Sequence, residues 1–282
     1  MKHRLLYLLL LLLPSTWAEA QVTYQQADSI TVCQLLAKAK PTTSTLWFAR
    51  QFLGVPYVAH TLEVNDNEQL VVNTRQLDCT TLVETVTALT LCARQGKRSW
   101  NDYLQTLRTL RYRQGVLTDY TSRLHYFSDW IADKQAMKIV SEIQSPNPPF
   151  TAVQQVKVDY MSTHPTAYKA LKAQPKLVSV IRQQEQRLTG TRARYIPKSS
   201  LRRSTKALRQ AVHDGDIIAI TCKKKGLDIA HLGFAVWQKD GLHLLNASMI
   251  HKKVVEEPMP FYQYLQKHSS HTGIRVIRIN KQ

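Results

Sequence analysis

A thiol, an imidazole and a side-chain amide are the parts of a covalent acyl-transfer site, and Cys79, His231 and Asn246 sit in contexts that suit those parts. Cys79 lies in Leu77-Asp78-Cys79-Thr80-Thr81. Leu82, Val86 and Leu89 follow it at helical spacing, which predicts a helix over residues 80–93 with the sulfur at its N-terminus and on its buried face. At a helix N-terminus the free amide N–H groups and the helix dipole favour an anion. They suit a thiolate, the form in which cysteine is nucleophilic, and the oxyanion of a tetrahedral intermediate.

His231 opens an alternating run. Leu232, Phe234 and Val236 share one face, and His231, Gly233 and Ala235 the other, as expected of a strand whose imidazole face borders a groove. Lys239-Asp240 suits a two-residue hairpin turn that sets Gln238 opposite Gly241 and Gly233 opposite Asn246. His231 and Asn246 then become diagonal neighbours about 7 Å apart, with the amide able to orient the ring. A register slip of one residue would send them to opposite faces. Each residue also has an ordinary reading: a packed cysteine, one histidine of ten, a turn asparagine. Asn246-Ala247-Ser248 further matches a glycosylation acceptor, relevant only to a eukaryotic secretory chain. Agreement among the three positions is what points to a site.

The elements that must position them read as follows. Two amphipathic helices are expected between Gln21 and Gly54, the second over about 43–53 and closed by Gly54 and Pro56. An extended stretch over 69–73 leads into Cys79. Residues 99–210 read as a largely helical insertion, with helices near 101–110 and 166–189 separated by an irregular stretch containing Pro146, Pro148 and Pro149. From Asp214 the pattern turns to strands at 216–222, 231–238, 242–248 and 273–279, with a short helix near 260–267. The expected class is α+β, one domain over 21–282 made of a helical nucleophile part (21–98), the insertion and a β-rich part (211–282).

Residues 1–20 run from Lys2, His3 and Arg4 through an apolar block to Ala18-Glu19-Ala20, which reads as a cleavable export signal. The block is too short for a permanent span, and no cysteine follows the cleavage site to carry an acyl anchor. Export with a net charge of +18 points to polyanionic or carboxylate-bearing partners such as a bacterial wall, and away from nucleic acid. The densest basic stretch, 192–209, reads as a solvated face. Four cysteines in an exported chain invite disulfides, but thirteen helical residues put Cys79 and Cys92 about 20 Å apart, beyond bonding reach.

Phe52-Leu53-Gly54-Val55-Pro56-Tyr57 with Leu77 to Glu84, Asp214 to Ile218, and His231 to Val236 resemble the NlpC-type papain-like cysteine peptidases. More narrowly, Asp78 to Thr81 with Ser122 to Tyr126, Asp129-Trp130 and Gly226 to His231 resemble the N-acetylmuramoyl-L-alanine amidase-like branch. The resemblance implies a papain-like core, a Cys79-His231-Asn246 triad and no metal or other cofactor. It also implies hydrolysis of the amide joining N-acetylmuramic acid to L-alanine, with 1,6-anhydro muropeptides favoured; the export signal makes the periplasm the expected location. A stem-peptide endopeptidase with the same triad, and a non-enzymatic basic wall-binding protein, are the competing readings. Tyr57, Asp78, Thr80, Arg123, Tyr126, Trp130 and Asp228 become the candidate substrate-binding residues.

Overall fold

The computed structural model describes residues 22–281, so the expected export signal at 1–20 lies outside the described residues. In chain order the elements are β1 (Val22–Thr23), α1 (Gln26–Lys38), α2 (Thr45–Arg50), β2 (Leu70–Val71), α3 (Cys79–Arg94), α4 (Trp100–Arg111) and α5 (Phe127–Ala136). Then come β3 (Val140–Ile143), β4 (Ala152–Gln155), α6 (Tyr160–Thr163), α7 (Lys169–Ala173), α8 (Leu177–Leu188), β5 (Arg192–Pro197) and α9 (Lys206–Ala211). The chain closes with β6 (Ile217–Cys222), β7 (Ile229–Gln238), β8 (Gly241–Ser248), β9 (Lys253–Glu256), α10 (Phe261–Gln266) and β10 (His271–Ile279).

The main sheet is antiparallel in the order β4-β5-β10-β6-β7-β8-β9, with β3 pairing the far end of β10. Its two faces follow the period of two in the strands. Ile217, Ala219, Leu232, Phe234, Val236, Leu245 and Ile277 pack against the N-terminal helices. Ile218, Ile220, Ala235, Leu244, Ile274 and Val276 pack against α9 and α10. A third cluster, including Tyr126, Val156, Met161, Leu177 and Ile181, fills the space under α6–α8.

The central helix is α3, in which every residue from Thr81 to Ala93 is buried. A one-sided amphipathic stripe is therefore too narrow a description: α3 is enclosed by α1, α2, α4 and the sheet, and its many threonines and alanines allow that close approach. Its one buried acid, Glu84, is matched by Arg111 of α4 at 2.7 Å.

The segment 99–210 contributes more than helices. β3 and β5 both pair with β10, and β4 pairs with β5, so the segment is built into the sheet. In β5, Arg192 and Arg194 are exposed while Ala193 and Ile196 are buried, so the basic residues hide a strand alternation. The expected helix over 166–189 breaks into α7 and α8 around Gln174-Pro175. All four cysteines, Cys33, Cys79, Cys92 and Cys222, are free thiols. Among the described residues no helix is long and apolar enough to cross a membrane.

Candidate active site

The start of α3 is fixed from two directions. Asp78 caps the helix, its Oδ1 accepting from Thr81 N at 2.8 Å, while Thr81 Oγ1 accepts in return from Asp78 N at 2.9 Å. The approach to the cap is pinned by Asp28 of α1, fully buried, which accepts from Thr74 N and Thr74 Oγ1 at 2.8 Å each. On the other side the chain at Tyr57 runs alongside Leu77: Leu77 N donates to Pro56 O at 3.0 Å and Val58 N to Leu77 O at 3.1 Å. Cys79 thus occupies the first turn of a rigid, enclosed helix, with Tyr57 close by.

The histidine comes from β7, where the pairing with β6 slips between Ile220 and Thr221, leaving Ala230 as an extra residue immediately before His231. Such a bulge turns the following side chain relative to the regular ladder. The β7–β8 hairpin has the register that its turn implied, with Gln238 opposite Gly241 and Phe234 opposite Leu245. His231 and Asn246 consequently share a face, and His231 Nε2 lies 2.9 Å from Asn246 Oδ1. The small residues beside His231 have a different cause from an open groove. A Cβ on Gly233 would meet Leu245 O at 2.6 Å and the Leu244 side chain at 2.8 Å, so the strands' own packing demands the glycine. Asn246 is fully buried, which excludes a glycan at that position.

Asn246 Nδ2 donates to Glu257 Oε1 at 3.0 Å. A carboxylate only accepts, so the amide nitrogen must face Glu257 and the amide oxygen must face His231. His231 Nε2 therefore carries the hydrogen, and Nδ1 is left as the free base.

Cys79 and His231 line the same cleft of about 190 Å³, together with Thr80, His125, Tyr126, Tyr168 and Asp228. Burial first, and then the charge of Asp78, push the Cys79 thiol up to about 12. The backbone of Leu232, the Thr80 hydroxyl and the backbone at Cys79 itself act in the opposite direction, which also places the sulfur against the residue that follows His231. Burial lowers the pKa of His231, against hydrogen bonding by Asn246 and the charges of Glu257 and Asp78. Both shifts favour a neutral thiol beside a neutral imidazole in the unliganded cleft. The helix N-terminus does not by itself make a resting thiolate here. Tyr57's phenol is pushed up by burial, then by Cys79 and Asp78.

A second cleft of about 540 Å³ continues from the first, sharing Thr80, His125 and Tyr168 and adding Asp78, Glu63, Tyr120 and Arg123. Arg123 lines it, but its guanidinium is committed: Nη1 meets Glu63 at 2.6 Å, and Nε and Nη2 grip both oxygens of Glu68 at 2.9 and 2.6 Å. Tyr126 lines the inner cleft, while its hydroxyl donates to Glu185 Oε1 at 2.7 Å. Asp228 also lines the inner cleft but accepts from Ser128 N at 2.7 Å, capping α5. Trp130 is not brought to either cleft; it is 1 % exposed and stacks on Phe127 at 4.9 Å. His125 and Tyr168, in contrast, line both clefts without having been singled out from sequence. His125 donates through Nε2 to Tyr120 O at 2.8 Å, and burial followed by the Arg123 charge hold its pKa down to about 3, so it faces the cleft uncharged. Among the described residues no group of three His, Cys, Asp or Glu side chains is arranged to hold a metal ion.

Residues 47–274 match the family model AmiA-like, N-acetylmuramoyl-L-alanine amidase-like. The chain belongs to this family. It is similar to a solved N-acetylmuramoyl-L-alanine amidase from Bacteroides uniformis, with 40 % identity over 84 % of this chain and 98 % of that one, and a TM-score of 0.79. A Bacteroides fragilis structure given the provisional name xylanase is similar at 39 % identity over 83 % of this chain and all of that one, with a TM-score of 0.77. A Legionella pneumophila structure, 22 % identical with a TM-score of 0.69 over 90 % of this chain and 94 % of that one, shares the fold. No curated protein matches the sequence.

Proposed function

We propose that the protein is an exported cysteine amidase that hydrolyses the amide between N-acetylmuramic acid and L-alanine in peptidoglycan fragments. Cys79 is the nucleophile, His231 the acid and base, and Asn246 the group that orients it, on a papain-like core of the NlpC type. The observation that carries this reading is the oriented imidazole: Nε2 is tied to Asn246 at 2.9 Å, and the ring lines the cleft that also holds Cys79. Family membership supports the amidase class.

In the first half-reaction Cys79 Sγ adds to the lactyl carbonyl carbon of the muramic acid while its proton passes to His231 Nδ1. A neutral resting pair suits this order, because the proton leaves sulfur as the carbon–sulfur bond forms. Backbone N–H groups at the start of α3 take the oxyanion. Collapse breaks the carbon–nitrogen bond, Nδ1 returns the proton to the L-alanine nitrogen, and the peptide leaves with a free amine. The muramoyl group remains as a thioester until water, giving a proton to Nδ1, adds to the carbonyl carbon and the carbon–sulfur bond breaks; Nδ1 then returns that proton to the departing Cys79 sulfur. The preferred substrates are 1,6-anhydro muropeptides, and the place of action is the periplasm.

A xylan hydrolase would need two carboxyl groups facing each other across the bond to be cut. Among the described residues lining the inner cleft the one carboxylate is Asp228, which is occupied in capping α5. In the adjoining cleft Glu63 and Glu84 are paired with Arg123 and Arg111, and Asp78 caps α3.

Digestion of defined muropeptides, with and without the anhydro sugar, tests the proposal by mass spectrometry. Wild type should release an intact peptide beginning with L-alanine, and Cys79→Ala should lose at least about a thousandfold in rate. Cleavage beyond D-glutamate would mean an endopeptidase instead. Unchanged turnover by Cys79→Ala would refute the cysteine mechanism.

A further inference from the structure

We infer that Glu257 is a positioning residue of this site, whose buried carboxylate sets the amide of Asn246 and through it the tautomer of His231; the inference rests on the Cys79-His231-Asn246 chemistry proposed above. Glu257 follows β9 and is 1 % exposed. Its backbone is held in place, with N donating to Leu244 O at 2.8 Å and O accepting from His243 Nδ1 at 2.8 Å. One carboxylate oxygen takes Asn246 Nδ2 at 3.0 Å, and the other takes His251 Nε2 at 3.1 Å. Among the described residues no lysine or arginine bridges to it; the side chain at its other oxygen is the imidazole of His251, 35 % exposed.

A carboxylate buried without a lysine or arginine is a poor choice for packing, since its desolvation is not offset by a strong counter-charge. Its position explains its presence. A side-chain amide can turn over, exchanging oxygen for nitrogen, and a reversed Asn246 would present a donor to His231. The ring would then accept at Nε2 and carry its hydrogen at Nδ1, on the side that must take the thiol proton. Glu257 forbids the reversal because it accepts hydrogen bonds and cannot donate one. The chain His251–Glu257–Asn246–His231 leaves Nδ1 as the free base before any substrate arrives.

The carboxylate also acts through charge. The groups that face His231 are Asp78 at the cap of α3, Cys79 in its first turn, Asp228 from the approach to its own strand, Glu257 just after β9, His268 from the turn after α10 and His271 at the start of β10. Lys198 and Lys224 stand behind the last two. Glu257 is the largest charge favouring the imidazolium form, and Asp78 adds to it.

The test compares wild type, Glu257→Gln, Glu257→Leu and Cys79→Ala. Three readouts are needed: muropeptide turnover against pH, thermal melting, and the 15N shifts of labelled histidine rings. Glu257→Leu should lose about 10–100-fold in kcat with KM little changed, and its His231 ring should lose the pure Nε2–H signature. Glu257→Gln can offer Asn246 either an acceptor or a donor, so its kcat should fall between those of wild type and Glu257→Leu, while the acid limb of its profile moves to lower pH because the charge favouring imidazolium is gone. A Glu257→Leu protein with wild-type kcat and tautomer would overturn the inference. So would a Glu257→Gln protein with an unmoved acid limb, which decides the matter if the leucine variant does not fold. Activity surviving in Cys79→Ala would instead refute the cysteine reading, and the ring shifts, which require no turnover, would still report on Glu257.

Discussion

The two walls of the cleft are built on opposite principles. On the sheet side, polar atoms are chained inward, from His251 through Glu257 and Asn246 to His231, so that one ring nitrogen remains unclaimed. On the side made by residues 57–68 and the segment from Tyr120 to Lys169, the charges cancel one another: Arg123 with Glu63 and Glu68, and Lys169 with Asp66. What that side presents to the inner cleft is uncharged, including His125 and Tyr168. Under the proposed mechanism, the sheet wall is the one arranged to move a proton. The other is preorganised to keep its shape, so substrate recognition has to come from neutral donors, acceptors and rings more than from a free guanidinium.

Four experiments would break or sharpen that contrast. The largest effect is expected from His231→Ala, which removes the imidazole proposed above to take the thiol proton. Its kcat on muropeptides should fall about 10³–10⁴-fold with melting unchanged, and a smaller loss would mean another base acts. Next is Arg123→Met on the opposite wall. Glu63 and Glu68 are left facing each other, with the Glu68 side chain only 4 % exposed, so the damage should be to stability, by about 3–5 kcal/mol in denaturant unfolding. If stability held while KM rose sharply, Arg123 would be a substrate ligand after all.

The third concerns the resting thiol. With Cys79 pushed up to about 12 and His231 pushed down, the thiolate population rises with pH throughout the neutral range. Alkylation of Cys79 by iodoacetamide should therefore increase about tenfold per pH unit between about pH 6 and 9. A rate that is flat with pH would reveal a thiolate–imidazolium pair and refute the neutral pair. The smallest effect is expected from Trp130→Phe. The Trp130 Nε1 atom has no hydrogen-bond partner and the ring lies in the core, so the cost should stay near 1–2 kcal/mol, with KM unaltered.

How much of this was legible beforehand depended on how far each feature reaches along the chain. The hairpin register that joins His231 to Asn246 depends on a two-residue turn and a period of two, both local, and it is present as read. Cys79 at a helix start was readable because an apolar period at helical spacing begins at it, whereas the cap by Asp78 came only with the structure. The strands β3, β4 and β5 were missed: one carries arginines on its exposed face, and the others flank prolines that resemble a loop. Charge on a strand's open side conceals its alternation from a reading by hydrophobicity.

The roles of Arg123, Trp130 and Asp228 show the same limit. Arg123 finds its partners 55 and 60 residues away, and Asp228 caps a helix 100 residues earlier, distances over which no periodicity operates. By itself the sequence determined the helix that starts at Cys79, the strand of His231 and the hairpin that brings Asn246 to it, because steric and hydrogen-bonding rules act over a few residues. Only the tertiary structure decided which charges are spent on one another, that burial outweighs the helix terminus at Cys79, and that Glu257 stands behind Asn246. Those outcomes depend on desolvation and on through-space pairing, which exist only once distant segments are packed together.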